Sequence, residues 1–167
     1  MKKILTEILI LLAASMALSA CGGGGGGEAA PAQPTRAIVK LFTQGTTTFT
    51  ISALQATLHL PAGVSVKVST TDPPWTDDGV VTASGTATGA EISKGIYSAG
   101  TVTVFVTKAT VTTGFITVGE FATVNCDIAA GTKPTAADFS VTNLEVIDYD
   151  SAVPIMGLTP AFTADIQ

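Results

Sequence analysis

TVTVFV, Thr101 to Val106, sets three valines against two threonines and a phenylalanine in strict alternation. Successive side chains of an extended chain point to opposite faces, so Val102, Val104 and Val106 share one face and Thr101, Thr103 and Phe105 the other. FATVNCDI, Phe121 to Ile128, repeats the pattern, with Ala122, Val124, Cys126 and Ile128 opposite Phe121, Thr123, Asn125 and Asp127. Each stretch predicts a strand with one face against a core and the other toward water.

Further strand candidates are Ile38 to Phe42, Thr48 to Leu60, Val64 to Ser69, Val80 to Thr82, Phe115 to Val118, Phe139 to Ile147 and Phe162 to Ile166. Glycine or proline stands at most joints, as in Leu60-Pro61-Ala62-Gly63, Asp77-Asp78-Gly79, Ala130-Gly131-Thr132 and Lys133-Pro134. Only Ser52 to Leu58 and Ala90 to Ile96 have room for a short helix. Short strands at this spacing predict an all-β sandwich over residues 37–167 rather than a barrel or an α/β fold.

The N-terminal part is of another kind. Lys2 and Lys3 precede the apolar run ILILLAASMAL, Ile8 to Leu18, which ends in Ser19 and Ala20. That is the outline of a secretory signal peptide, shorter than the roughly 20 apolar residues a spanning helix needs. The expectation is a cleaved segment 1–20 and then a flexible Gly/Pro linker, 21–36, whose GGGGGGEAAPAQPTR carries no apolar periodicity.

Leu18-Ser19-Ala20-Cys21 resembles the lipobox of bacterial lipoproteins. The resemblance implies cleavage before Cys21, a thioether lipid on its sulfur and acylation of the new amino terminus. Each buried methylene contributes about 0.8 kcal/mol, so three chains would hold the protein on a membrane where one would not. Gly22 stands where this family's inner-membrane members tend to carry aspartate, which favours the outer membrane if the source is a diderm bacterium. The expected place is the cell envelope.

Three stretches resemble the cohesin family, jelly-roll sandwiches that bind dockerin modules. They are ISALQATLHLPAGVSV (Ile51 to Val66), VGEFATVNCDIAAG (Val118 to Gly131) and FSVTNLEVIDYDSAVPI (Phe139 to Ile155). The resemblance implies an antiparallel jelly-roll and a protein partner, dockerin-like or another envelope protein. Against the family pattern the opening strand pair looks shortened around Ala37 to Gly45, and LHLPAGVSV replaces a tyrosine–aspartate turn.

Composition removes several functions. The chain carries a net charge of −5, about −6 without residues 1–20, and no basic run, so nucleic acid is not an expected partner. With Cys21 assigned to lipid, Cys126 has no second cysteine for an intrachain disulfide, and stability must come from the core. His59 is the only histidine, no nucleophile turn accompanies it, and its strand points it away from Leu58 and Leu60. One histidine and one thiol cannot furnish a four-ligand zinc site. The chain is read as a non-enzyme with no cofactor and no metal.

Oxygen ligands alone would serve calcium, and Asp148-Tyr149-Asp150-Ser151 alternates carboxylates. It lacks the glycine and glutamate of an EF-hand loop and reads as a solvated turn. A glycosidase pair such as Asp77 and Glu91 is permitted by sequence, with nothing to favour it.

TTDPPWTDDG, Thr70 to Gly79, places the only tryptophan among prolines and aspartates, where a central strand cannot run. A rigid loop presenting Trp75 beside Asp77 and Asp78 suits sugar stacking or a protein contact; alternatively Trp75 folds back to cap the core. Tyr97 is open to the same two readings. The leading expectation is protein recognition through the sheet face bearing Thr101 and Thr103. The alternative is a polysaccharide bound through Trp75 and Tyr97.

Overall fold

The computed structural model describes residues 32–108 and 115–167. The apolar run Ile8 to Leu18 and Cys21 lie outside the described residues. The chain divides into a unit ending at Ala32 and a unit Gln33–Gln167, and the fold is that of the second.

The described residues form nine strands in order: β1 (Arg36–Gln44), β2 (Ile51–His59), β3 (Val64–Ser65), β4 (Val81–Ala83), β5 (Ile92–Ser98), β6 (Thr101–Thr107), β7 (Glu120–Ile128), β8 (Ser140–Asp148) and β9 (Thr159–Ile166). They form two antiparallel sheets. One runs β3-β7-β1-β9, with β4 also on β7; the other runs β5-β6-β2-β8. The described residues contain no α-helix, only two three-residue 3-10 turns at Gly85–Ala87 and Ala136–Asp138. The all-β sandwich is therefore as expected.

The period-two rows meet between the sheets. Val39 and Leu41 of β1, Leu54, Ala56 and Leu58 of β2, and Val102, Val104 and Val106 of β6 are buried, as are Ala122, Val124 and Cys126 of β7. Fully burying such a side chain contributes roughly 1.5–3 kcal/mol, and this row is what holds the sandwich without a disulfide. Turns expected from glycine form as such: Val64 N–H donates to Pro61 C=O at 3.0 Å and Val80 N–H to Asp77 C=O at 3.2 Å.

The structure departs from expectation at several places. Both segments with room for a helix are extended: Ser52 to Leu58 lies in β2, and Ala90 to Ile96 runs into β5. In β5 the inward residues are Ser93, Gly95 and Tyr97, so the alternation has no apolar row to announce it. Gly95 is required there, because a Cβ would stand 2.8 Å from Val102 Cγ1. Val64 to Ser69 pairs as a strand only at Val64–Ser65, and of Phe115 to Val118 only Ile116 makes a bridge, to Ile51.

Phe121, expected on the outer face, is 1 % exposed. The pairing of β1 with β7 shifts between Leu41 and Phe42, which oppose Ala122 and Glu120. That bulge leaves Phe121 without a partner across the ladder and turns its ring into the core. The opening strand β1 is nine residues long and is the inner strand between β7 and β9.

Candidate binding surface

Each sheet has an outer face, and the register shows what it presents. On the β2-β6-β5 face the rows are Ala53/Thr107/Ile92, Gln55/Phe105/Lys94, Thr57/Thr103/Ile96 and His59/Thr101/Ser98. Phe105 sits among half-buried threonines and Gln55, with Lys94 across its β5 pairing and Glu145 of β8 on the far side of Gln55. Thr101 and Thr103 lie on this face, as their alternation with the valines requires. His59 ends the last row, where its Nε2 hydrogen-bonds Thr142 Oγ1 at 2.8 Å.

The loop Thr70–Gly79 follows the free edge of β5. Thr76 N–H donates to Gly95 C=O at 2.8 Å, Tyr97 N–H to Pro74 C=O at 3.1 Å, and Gly95 N–H to the buried Thr76 Oγ1 at 3.0 Å. These bonds strap residues 74–76 along the edge and fix Trp75 opposite Ile96. The indole is half-buried and its ring centroid lies 6.1 Å from that of Phe105, tilted by 55°. It therefore rests on the outer face of the sheet and does not cap the core. Tyr97, by contrast, is partly buried against the core cluster.

Trp75 forms a wall of a cleft of about 460 Å³ shared with Ile92, Lys94, Asp77 and Asp78. Ile92 is 51 % exposed, so two apolar walls stand open to solvent there. Lys94 Nζ lies 3.4 Å from Asp78 Oδ1, an exposed pair that orients both groups and adds little stability. The same two aspartates border a second cleft, of about 510 Å³, with Arg36, Lys67, Asn125 and Asp127. The Asp77-Asp78-Gly79 turn is the ridge between an apolar cleft and a charged one. The structure brings Trp75, Asp77 and Asp78 to one cleft; that Phe105 and Ile92 stand beside Trp75 is not legible in the sequence, because their meeting depends on the strap.

The other outer face is charged. Arg36, Ile38, Lys40 and Phe42 of β1 lie between Asp127, Asn125, Thr123 and Glu120 of β7 and Asp165, Thr163 and Ala161 of β9. Lys40 Nζ meets Glu120 Oε2 at 3.1 Å. Burial pushes the Glu120 carboxyl up, but hydrogen bonds from Ser84 and Lys40 and the Lys40 charge outweigh it and hold the group below the usual glutamate range.

No group of three or more His, Cys, Asp or Glu side chains among the described residues is placed to hold a metal ion. Asp148 Oδ2 accepts hydrogen bonds from Ser151 Oγ (2.6 Å) and Ser151 N–H (3.1 Å), which hold its carboxyl below the usual range. The acidic stretch is thus a self-bonded turn, with the Tyr149 ring 4.7 Å from that of Phe115. Cys126 is 1 % exposed, and burial, helped by the Asp127 charge, pushes its thiol up to about 12, so no nucleophilic thiolate is present near neutrality.

No protein-family model and no curated protein matches the chain. Among solved structures it is similar to a non-cellulosomal cohesin from the hyperthermophilic archaeon Archaeoglobus fulgidus. The TM-score is 0.47 with 11 % identity, over 74 % of this chain and 74 % of that one.

Proposed function

We propose that the chain is a non-catalytic recognition module of the cell envelope, held to a membrane by lipid on Cys21 and binding a protein through the β2-β6-β5 face. The observation that carries this reading is the contrast between the two outer faces. Aromatic residues are enriched at the centre of a protein interface, and on this face the charges Lys94 and Glu145 flank an aromatic pair set among threonines. Here Phe105 and Trp75 supply the anchors. The threonines around them are β-branched and stiff, so they lose little side-chain freedom on contact. The partner is dockerin-like or another envelope protein.

The test is a capture experiment from the source organism's own envelope with the full chain and its Phe105→Asp variant as paired baits. A protein retained by the first and lost from the second is expected. Recovery of no specific protein, or equal recovery by both, overturns the reading. Anchoring is tested separately: labelled palmitate is expected to enter the chain and not its Cys21→Ser variant, and an unlabelled native chain removes the lipid from the proposal.

A second reading is favoured by the Trp75 cleft, whose indole and carboxylates suit a polysaccharide. Titration with soluble glycans while following tryptophan fluorescence tests it. A shift that Trp75→Ala abolishes is expected if this reading holds, and an unchanged spectrum with every glycan removes it.

A further inference from the structure

Among the described residues the sandwich has four sheet edges, and three of them are closed to strand pairing. β3 and β4 are two and three residues long. The edge of β5 carries the strap of residues 74–76. On β8, residues 153–155 close one half, with Ile155 N–H on Val146 C=O at 2.7 Å and Asp148 N–H on Val153 C=O at 3.0 Å. The other half is bent by a register shift between Gln55 and Thr57, where Asn143 takes φ +51°. Short edges, covers and bulges are the devices by which sheets avoid unwanted pairing.

β9 has eight residues and, among the described residues, none of these covers. Arg36 and Gln167 exchange both backbone hydrogen bonds, at 2.9 and 2.8 Å. In an antiparallel ladder such pairs alternate, so Asp165, Thr163 and Ala161 bond to β1, while Ile166, Ala164, Phe162 and Pro160 turn their backbone groups off the edge. The 3-10 turn Ala136–Asp138 lies beside β9 but gives these groups no hydrogen bond. A second observation points the same way. The side chains of Phe162, Ala164 and Ile166 face the core yet remain half-exposed, whereas their β1 partners Leu41, Val39 and Ala37 are fully buried. Among the described residues the core is incompletely covered along this side.

We infer that β9 pairs antiparallel with β9 of a second copy of this chain, about a two-fold axis at Ala164, joining the two five-stranded sheets edge to edge. That register sets Phe162 opposite Ile166 of the second copy and Ala164 opposite its counterpart, forming about six hydrogen bonds. Pro160, which has no N–H to give, falls outside the ladder. On the outer face Thr163 meets Asp165 of the second copy, so no two like charges stand directly opposed. The partner is specified by this self-complementarity, since the same short edge supplies donors, apolar pairs and charge spacing to itself. The association goes beyond the recognition face and leaves it free.

Sedimentation equilibrium of the full chain in neutral detergent, over a concentration series reaching about 1 mM, tests the inference. A reversible monomer–dimer equilibrium is expected, with hydrogen exchange at the Phe162, Ala164 and Ile166 amides slowing as the dimer fills. Ala164→Pro removes an N–H that the monomer's own ladder does not use and is expected to leave a monomer throughout. Thr163→Asp sets a carboxylate against Asp165 of the second copy at two symmetric places and is expected to raise the dimer Kd about tenfold. In its own sheet that carboxylate faces Lys40, so the melting temperature of the monomer holds or rises. If Ala164→Pro does not fold, Thr163→Asp decides alone. A chain that stays monomeric, or a dimer indifferent to the substitutions, overturns the inference.

Discussion

Phe42 and Phe105 hold matching stations on opposite sides of the sandwich, each half-buried on an outer sheet face, and their surroundings differ. Phe42 lies between Glu120 and Ala161, one register step from the Lys40–Glu120 pair. Phe105 lies between Gln55 and Lys94 with Trp75 tilted against it. The first ring lies among the charges of the β1 sheet; the second has Lys94 on one side and Glu145 of β8 beyond Gln55 on the other, with Trp75 as its aromatic neighbour. An aromatic ring on a sheet face gains its meaning from its cross-strand neighbours, and composition alone does not separate the two.

The largest effect that would break this picture lies one residue from the proposed contact. Val104 is fully buried and Thr103 is its outward neighbour, so Val104→Asp is expected to cost more than about 4 kcal/mol and Thr103→Asp less than about 1 kcal/mol in urea unfolding. Comparable losses at the two sites would mean that the faces of β6 are wrongly assigned. Next, Phe105→Ala is expected to lower capture of the envelope partner at least about tenfold while Phe42→Ala leaves it unchanged. Equal losses would erase the contrast between the sheets.

Acid sharpens the comparison. Glu120, Asp138 and Asp148 all titrate below their ordinary values of 4.5, 3.8 and 3.8. A depressed carboxylate contributes stability above its unfolded pKa and loses it as pH falls through the folded one. Melting temperature is therefore expected to be level above about pH 5 and to fall below about pH 4.5. The smallest effect belongs to Lys40→Ala, which removes a half-exposed ion pair and is expected to cost about 0.5 kcal/mol at low salt and less at high salt.

The sequence spoke clearly where an apolar row faces the core. β1, β6, β7 and β9 follow from period-two alternation, and the turns at Gly63, Gly79 and Gly131 follow from their residues. β5 did not, because its inward row is Ser93, Gly95 and Tyr97, and at Gly95 the close approach of Val102 and Thr76 leaves no room for a side chain. Phe121 was misplaced because a bulge changes the parity of a strand without any mark in composition. The same limit applies to the binding surface. Trp75 was conspicuous as the lone tryptophan in a proline-rich loop, but its seat on Phe105 depends on backbone hydrogen bonds between residues 74–76 and 95–97.

β1 is bonded along both sides, to β7 and to β9, and its first residue is clasped to Gln167. A pull transmitted through the residues before Arg36 thus runs along the strand axis and loads the bonds of two ladders in parallel, as a shear joint does, instead of opening them in turn like a zipper. The domain is expected to resist extension better when pulled from its N-terminal side than when gripped at β4 or β5, a difference that single-molecule pulling from the two points would measure.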